Sequence, residues 1–200
     1  MQLNKKDYFN RAFKFFIFAL SMTVISGVIA YISNSSLKDK VTSTDLFAGN
    51  YAFNNSTGFK EFVGYFVNNG LQVPFQMLIF AIIPIPYVYL LNLILSAVAP
   101  GVLIGAILRY SLAKGFVLTL SSLPHMLVEF FAVSLFAAAL FRINYWIRSK
   151  VWKKVQVETS FLFEIKCCLF RYFKYVIFLI LLAAFLETYV ADLILDLFNM

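Results

Sequence analysis

Between Phe62 and Leu108 the chain has no Lys, Arg, His, Asp or Glu. As a helix, this run of about 47 residues extends roughly 70 Å, against a bilayer hydrocarbon core of about 30 Å. It is too long for one crossing and fits two, folded back on each other. Charge is scarce elsewhere too: 14% of residues are charged and 62% hydrophobic, whereas soluble domains hold roughly 25% and 45–50%. The mean hydropathy of +0.82 agrees. A soluble domain is therefore excluded. Histidine occurs once, which rules out an H-E-x-x-H zinc site. The two cysteines, Cys167 and Cys168, are adjacent, so they fit neither the spaced pairs of a zinc site nor a disulfide framework. No Gly-rich phosphate loop is present, and any nucleotide energy has to come from a partner. Ser121, Ser122 and His125 lie close together without the oriented base, second carboxylate and oxyanion hole that serine catalysis needs. No catalytic residue, resident metal or cofactor is expected. The formal net charge of +7 would point to nucleic acid only as a patch on a soluble fold; here the basic residues are sorted by topology, and no nucleic-acid partner is expected.

What is present reads as an all-α, polytopic membrane helix bundle, a single domain over 1–200 with five transmembrane spans. Lys5, Lys6, Arg11 and Lys14 precede the uncharged run Phe15–Leu37, too long for a signal-peptide apolar region of about 7–15 residues and without an A-x-A-like site. It reads as a retained first span at 15–32. An Asn-, Ser- and Thr-rich external loop follows at 33–60. The long uncharged run turns best at Pro84-Ile85-Pro86, giving spans at 62–83 and 87–108 with Pro74 and Pro100 as internal kinks. Gly115–Leu123 is too short to cross and reads as interfacial or re-entrant. Pro124 suits the first turn of a fourth span at 124–141, and a fifth follows at 173–193.

Orientation follows from the excess of Lys and Arg on cytoplasmic segments. The N-terminal residues and Arg142–Lys174 hold twelve of the seventeen basic residues, and an even number of spans lies between them. A plasma-membrane protein with its N-terminus cytoplasmic and its C-terminus external is expected. Within the cytoplasmic segment 142–172, Ile147, Val151, Val155, Leu162, Ile165, Leu169 and Tyr172 recur at helical spacing, while Arg148, Lys150, Lys153 and Lys154 fall elsewhere. Such a basic amphipathic segment lies in the headgroup layer, anchored by Trp146 and Trp152, or docks a cytoplasmic partner.

Three ionisable residues fall inside the spans: His125 and Glu129, spaced i and i+4, and Glu187. Each costs a few kcal/mol at membrane depth unless paired or hydrated, on the order of 3 kcal/mol on insertion scales. With Asn68 and Asn69 they share the outer half of the bilayer in this topology, and all five are expected to form one polar intramembrane cluster; Asn92 lies too near the other end. The cluster ties helices together, lines a proton or substrate pathway, or, least well supplied with ligands, holds zinc or iron. Gly101-x-x-x-Gly105 is a helix-packing signal.

Asn68-Asn69, then Pro100-Gly101-Val102-Leu103-Ile104-Gly105, then Pro124-His125 followed by Glu129, and Glu187 in the last span together resemble the stage II sporulation protein M family. That family reads Asn-Asn, Asn-Gly-x-x-x-Gly, Pro-His-Gly-x-x-Glu and a Glu in the last helix; here Pro100 replaces its Asn and Met126 its Gly. The resemblance implies an inner-membrane protein of five or six spans working in a complex. Members act with envelope-remodelling proteins in spore engulfment, and similar proteins sit beside ATPase subunits in circular bacteriocin production and export. The expectation is a non-enzymatic membrane subunit of an export or bacteriocin-maturation complex. Its partners would be membrane lipids, other membrane proteins and a cytoplasmic ATPase. A scaffold for envelope remodelling stands as the alternative, and an intramembrane metalloenzyme third.

Overall fold

A computed structural model describes residues 5–33, 58–152 and 159–198. Among these the chain is helical, without a strand. Helix α1 is Lys5–Ile32. Helix α2 runs unbroken through Phe59–Phe66, the π-helical Val67–Gln72 and Val73–Ile82. A turn at 83–87 and a 3₁₀ turn at Val88–Leu90 lead into α3, Leu91–Tyr110. Helix α4 is Leu112–Trp152, 41 residues, and α5 is Phe161–Leu197, with π-helical stretches at Tyr172–Val176 and Leu186–Ala191.

Helix α4 is the axis of the bundle. Every residue from Ala132 to Leu140 is buried, because α1, α2, α3 and α5 all pack against it. At 1.5 Å per residue it is about 60 Å long. It absorbs three segments that the sequence separates: Gly115–Leu123, span four and the start of the amphipathic segment. Neither the helix start at Pro124 nor the re-entrant reading survives. A proline removes one N–H, and here only the carbonyl of Leu120 loses its α-helical donor while good helix formers continue on both sides. Likewise 161–172 is the first part of α5 rather than a separate surface helix.

Four helices are long and apolar enough to cross a membrane: Lys6–Ile32, Val88–Tyr110, Leu112–Trp152 and Phe161–Leu197. The expected second span, within α2, falls short of that measure because Asn68, Asn69, Gln72 and Gln76 interrupt its apolar run. The five-span count is thereby reduced to four by length and composition.

One end of the bundle gathers both basic segments. The Tyr8 hydroxyl donates to the carbonyl of Leu135 at 3.0 Å, and the Arg171 guanidinium lies 4.5 Å from the Tyr8 ring centroid. Arg142 and Glu164 join α4 to α5 through bonds of 2.6 and 3.2 Å. The turn at 83–87 lies at this end as well. The side-chain amide of Asn144 donates to the carbonyls of Ala81, Ile83 and Ile85 at 3.1, 2.8 and 3.2 Å, and Trp152 Nε1 donates to Pro84 at 3.1 Å. Helix-terminal carbonyls have no partner within the helix, and α4 supplies one. At the opposite end Arg109 donates to the last carbonyls of α1, Tyr31 and Ile32, at 2.6 and 3.1 Å, as a cation favours a helix C-terminus.

Candidate functional site

Three π-helical stretches lie where α2 and α5 meet α4, and two of them carry Asn68-Asn69 and Glu187, polar residues that the sequence singles out. In α2 the wide turn begins at Val67, and the N–H of Val73 reaches back five residues to the carbonyl of Asn68. Pro74 lies just beyond. With no N–H, it leaves the carbonyl of Gly70, four residues before it, without its α-helical donor. The Tyr172 hydroxyl, from the first π-helical stretch of α5, donates to that carbonyl. A carbonyl that the bulge and the proline leave without a donor is thus bonded by a neighbouring helix. The second π-helical stretch of α5, Leu186–Ala191, presents Glu187. Single π turns inside α-helices gather at functional sites.

The polar groups meet as a chain. Asn68 donates through Nδ2 to Asn69 Oδ1 at 2.7 Å, and Asn69 Nδ2 donates to Glu129 Oε2 at 3.1 Å. Glu187 interacts electrostatically with Glu129 and with Glu61, and its carboxylate is hydrogen-bonded by Tyr65; Tyr65 also hydrogen-bonds Glu61. Four of the five expected cluster residues therefore lie in one seam between α2, α4 and α5. His125 is the exception. It shares a helix face with Glu129, yet its Nδ1 is buried with no hydrogen-bond partner among the described residues. The expected cluster of five therefore lacks a bond from His125 Nδ1, while Glu129 is bonded from α2 by Asn69. Tyr65, Glu61 and Tyr172 are the members the sequence reading missed. Glu61 sits one turn ahead of Tyr65, a spacing that was available; Tyr172 carries no signal, being 102 positions from Gly70. Asn92 forms a separate contact, donating to Gln76 Oε1 at 3.0 Å. Among the described residues no group of three His, Cys, Asp or Glu side chains is placed to hold a metal ion.

A second seam joins α1 to α3. A Cβ on Gly105 would overlap the carbonyl of Gly27, and one on Gly101 would overlap the carbonyl of Thr23 and the hydroxyl of Ser26. Glycine at both positions is what lets these backbones touch. The Thr23 hydroxyl donates to Ala97 at 2.9 Å and the Ser26 hydroxyl to Val98 at 3.2 Å, on the turn of α3 just before Pro100. The partners on α1 were not singled out from sequence, although Thr23-x-x-x-Gly27 is a small-residue pattern of the same kind.

The basic residues expected to dock a partner divide. Lys150 is exposed, with its ammonium 5.5 Å from the Trp146 ring centroid. Arg148 is half-buried and its Nε is fully so, which removes it from the docking face. Lys153 and Lys154 lie outside the described residues, as does most of the loop at 33–60.

A helical bundle with long apolar helices and a polar seam between them defines a polytopic membrane protein. The chain matches the family model of Stage II sporulation protein M over residues 8–192, nearly its whole length, and belongs to that family. No curated protein and no solved structure matches it.

Proposed function

We infer that the chain is a non-enzymatic integral subunit of a bacterial plasma-membrane complex for export or peptide maturation, of the kind that serves bacteriocin production, working with a separate cytoplasmic ATPase. The observation that carries this reading is the tie from Asn68 through Asn69 to Glu129. A carboxylate bound by the amide of a neighbouring helix fixes two helices relative to each other, whereas covalent or hydrolytic chemistry needs a base turned toward a nucleophile. Helix α2 is read as a fifth crossing. Phe59, Val63, Val67, Leu71, Phe75 and Ile79, every fourth residue, form an exposed apolar stripe along it, while Asn68, Asn69 and Gln76 turn inward and Gln72 is exposed. Intramembrane polar residues face the bundle interior in this way.

The gathering of both basic segments at one end supports a cytoplasmic N-terminus and an external C-terminus. On this reading Lys150, with Lys153 and Lys154, presents the surface that receives the ATPase. Purification in mild detergent tests the assignment. A co-purifying ATPase, lost when the three lysines are replaced by Glu while the protein still inserts, supports it; a cell-wall hydrolase in its place makes the chain a remodelling scaffold, and stoichiometric zinc or iron makes it a metalloenzyme. A reporter fused after Lys154 should be cytoplasmic and one after Asn199 external. A cytoplasmic reporter at Asn199 would remove the fifth crossing.

A further inference from the structure

Three buried donors gather at the basic end of the bundle, and none has a hydrogen-bond partner among the described residues: Arg11 Nη1, Arg148 Nε and the Tyr89 hydroxyl. They come from α1, from α4 and from the 3₁₀ turn ahead of α3. An aromatic wall brings them together. Phe141 and Tyr145, one turn apart on α4, stack with ring centroids 6.1 Å apart and planes 15° from parallel. The Arg11 guanidinium sits over the first ring, 3.4 Å from its centroid, and the Arg148 guanidinium lies 5.9 Å from the second. Tyr89, at 0% exposure, interacts electrostatically with both guanidiniums.

Both arginines are half-buried, yet each keeps one fully buried donor, and with the buried Tyr89 hydroxyl these make a set of donors lacking an acceptor among the described residues. Among the described residues no acid side chain hydrogen-bonds these donors. Asp7, one turn before Arg11, is exposed and interacts with it only electrostatically, and the ion pair at this end belongs to Arg142 and Glu164. Buried polar groups are almost always satisfied. Planar guanidinium forks, more weakly hydrated than an ammonium, are the side chains suited to binding oxyanions away from water. The donors lie where α1 and α3 begin and α4 nears its end, which the topology proposed above puts at the level of a leaflet's headgroups, where basic pockets between helices take anionic lipid. We propose that Arg11, Arg148 and Tyr89 form an anion site that takes a phosphate group, supplied by an anionic phospholipid headgroup or by free phosphate.

Thermal unfolding of the full chain tests this in two settings: neutral detergent with and without inorganic phosphate, and phosphatidylcholine nanodiscs with and without phosphatidylglycerol. Wild-type protein should gain about 5 °C or more at a hundredfold excess over Kd. A gain from phosphatidylglycerol assigns the headgroup, and a gain from phosphate the free ion. Arg148→Gln and Tyr89→Phe should lose the gain while melting, without ligand, at or above the wild-type temperature, since each removes an unpartnered donor. Lys150→Gln, an exposed cation on the same helix, should keep it. No gain in wild type from either anion, a gain that persists in Arg148→Gln or Tyr89→Phe, or its loss in Lys150→Gln would each overturn the proposal.

Discussion

The α1–α3 seam and the α2–α4–α5 seam face the same difficulty and meet it differently. Each contains a helix with an internal proline, Pro100 in one and Pro74 in the other, and each must keep backbone carbonyls bonded where water is scarce. Between α1 and α3 the answer is proximity: Gly27, Gly101 and Gly105 let the backbones touch, and the Thr23 and Ser26 hydroxyls reach across to carbonyls beside Pro100. Within the seam these ties are hydroxyls, and the ionisable Arg109 bonds only the exposed last carbonyls of α1. Between α2, α4 and α5 the answer is side chains: α2 and α5 widen locally into π-helix, and Tyr172, Asn69 and Glu129 reach from helix to helix. Backbone contact suffices for packing. The seam joined by side chains is the one that carries carboxylates, groups able to bind or move a proton.

The largest effect is expected where proximity is destroyed. Gly105→Leu places side-chain atoms on the carbonyl of Gly27, and overpacking of this kind costs about 3 kcal/mol or more. The variant should lose most of the monodisperse protein recovered in mild detergent, and recovery at the wild-type level would break the distinction between the seams. Asn69→Ala is expected to be next. It leaves Glu129 without its amide donor, a loss of about 1–3 kcal/mol, read as a lower melting temperature. Replacing Asn69 and Glu129 both by Leu should recover part of that loss, because removing both partners strands neither; a double variant less stable than Asn69→Ala would show that Glu129 is held by something else.

Tyr172→Phe and Thr23→Val each delete one hydroxyl-to-carbonyl bond, and each should lower stability by about 1 kcal/mol. Equal shifts would mean that the two seams satisfy their backbones equally well. The smallest effect is expected at His125, whose Nδ1 has no partner among the described residues. His125→Leu should stay within about 0.5 kcal/mol of wild type. A large loss there would restore the imidazole to the cluster.

Much of the helical plan is legible in the sequence, because absence of charge over a known length is a direct measure of membrane depth. The turn at Pro84–Pro86 follows from dividing the uncharged run evenly. The limits of α4 do not follow: a proline at the first turn and a proline in mid-helix look alike until the preceding segment is seen to continue the helix. The polar seam is legible in part. Asn68, Asn69 and Glu129 announce themselves as the rare polar groups in apolar spans. The π-helical turns that bring them together depend on how α2 meets α5, which no local pattern records, and Tyr172 reads as one more aromatic in a chain with eleven tyrosines. His125 misleads for a physical reason: spacing i, i+4 places it beside Glu129 but leaves open which neighbour each side chain turns toward.

The strap from Asn144 to the turn at 83–87 has a consequence for how the protein is made. Its acceptors precede it by 59 to 63 positions. At about 5–20 residues per second of synthesis, the end of α2 leaves the ribosome several seconds before the amide that caps it. For that interval Ile83 has only the local N–H of Ile85, and the carbonyls of Ala81 and Ile85 depend on water, so the tip of the α2–α3 hairpin must wait where water reaches it. It reaches its final fit only when the far half of α4 arrives. The longest helix is thus also the last piece that lets an earlier hairpin settle, and a chain arrested before residue 144 should expose that turn to protease, whereas one arrested after α4 is complete should protect it.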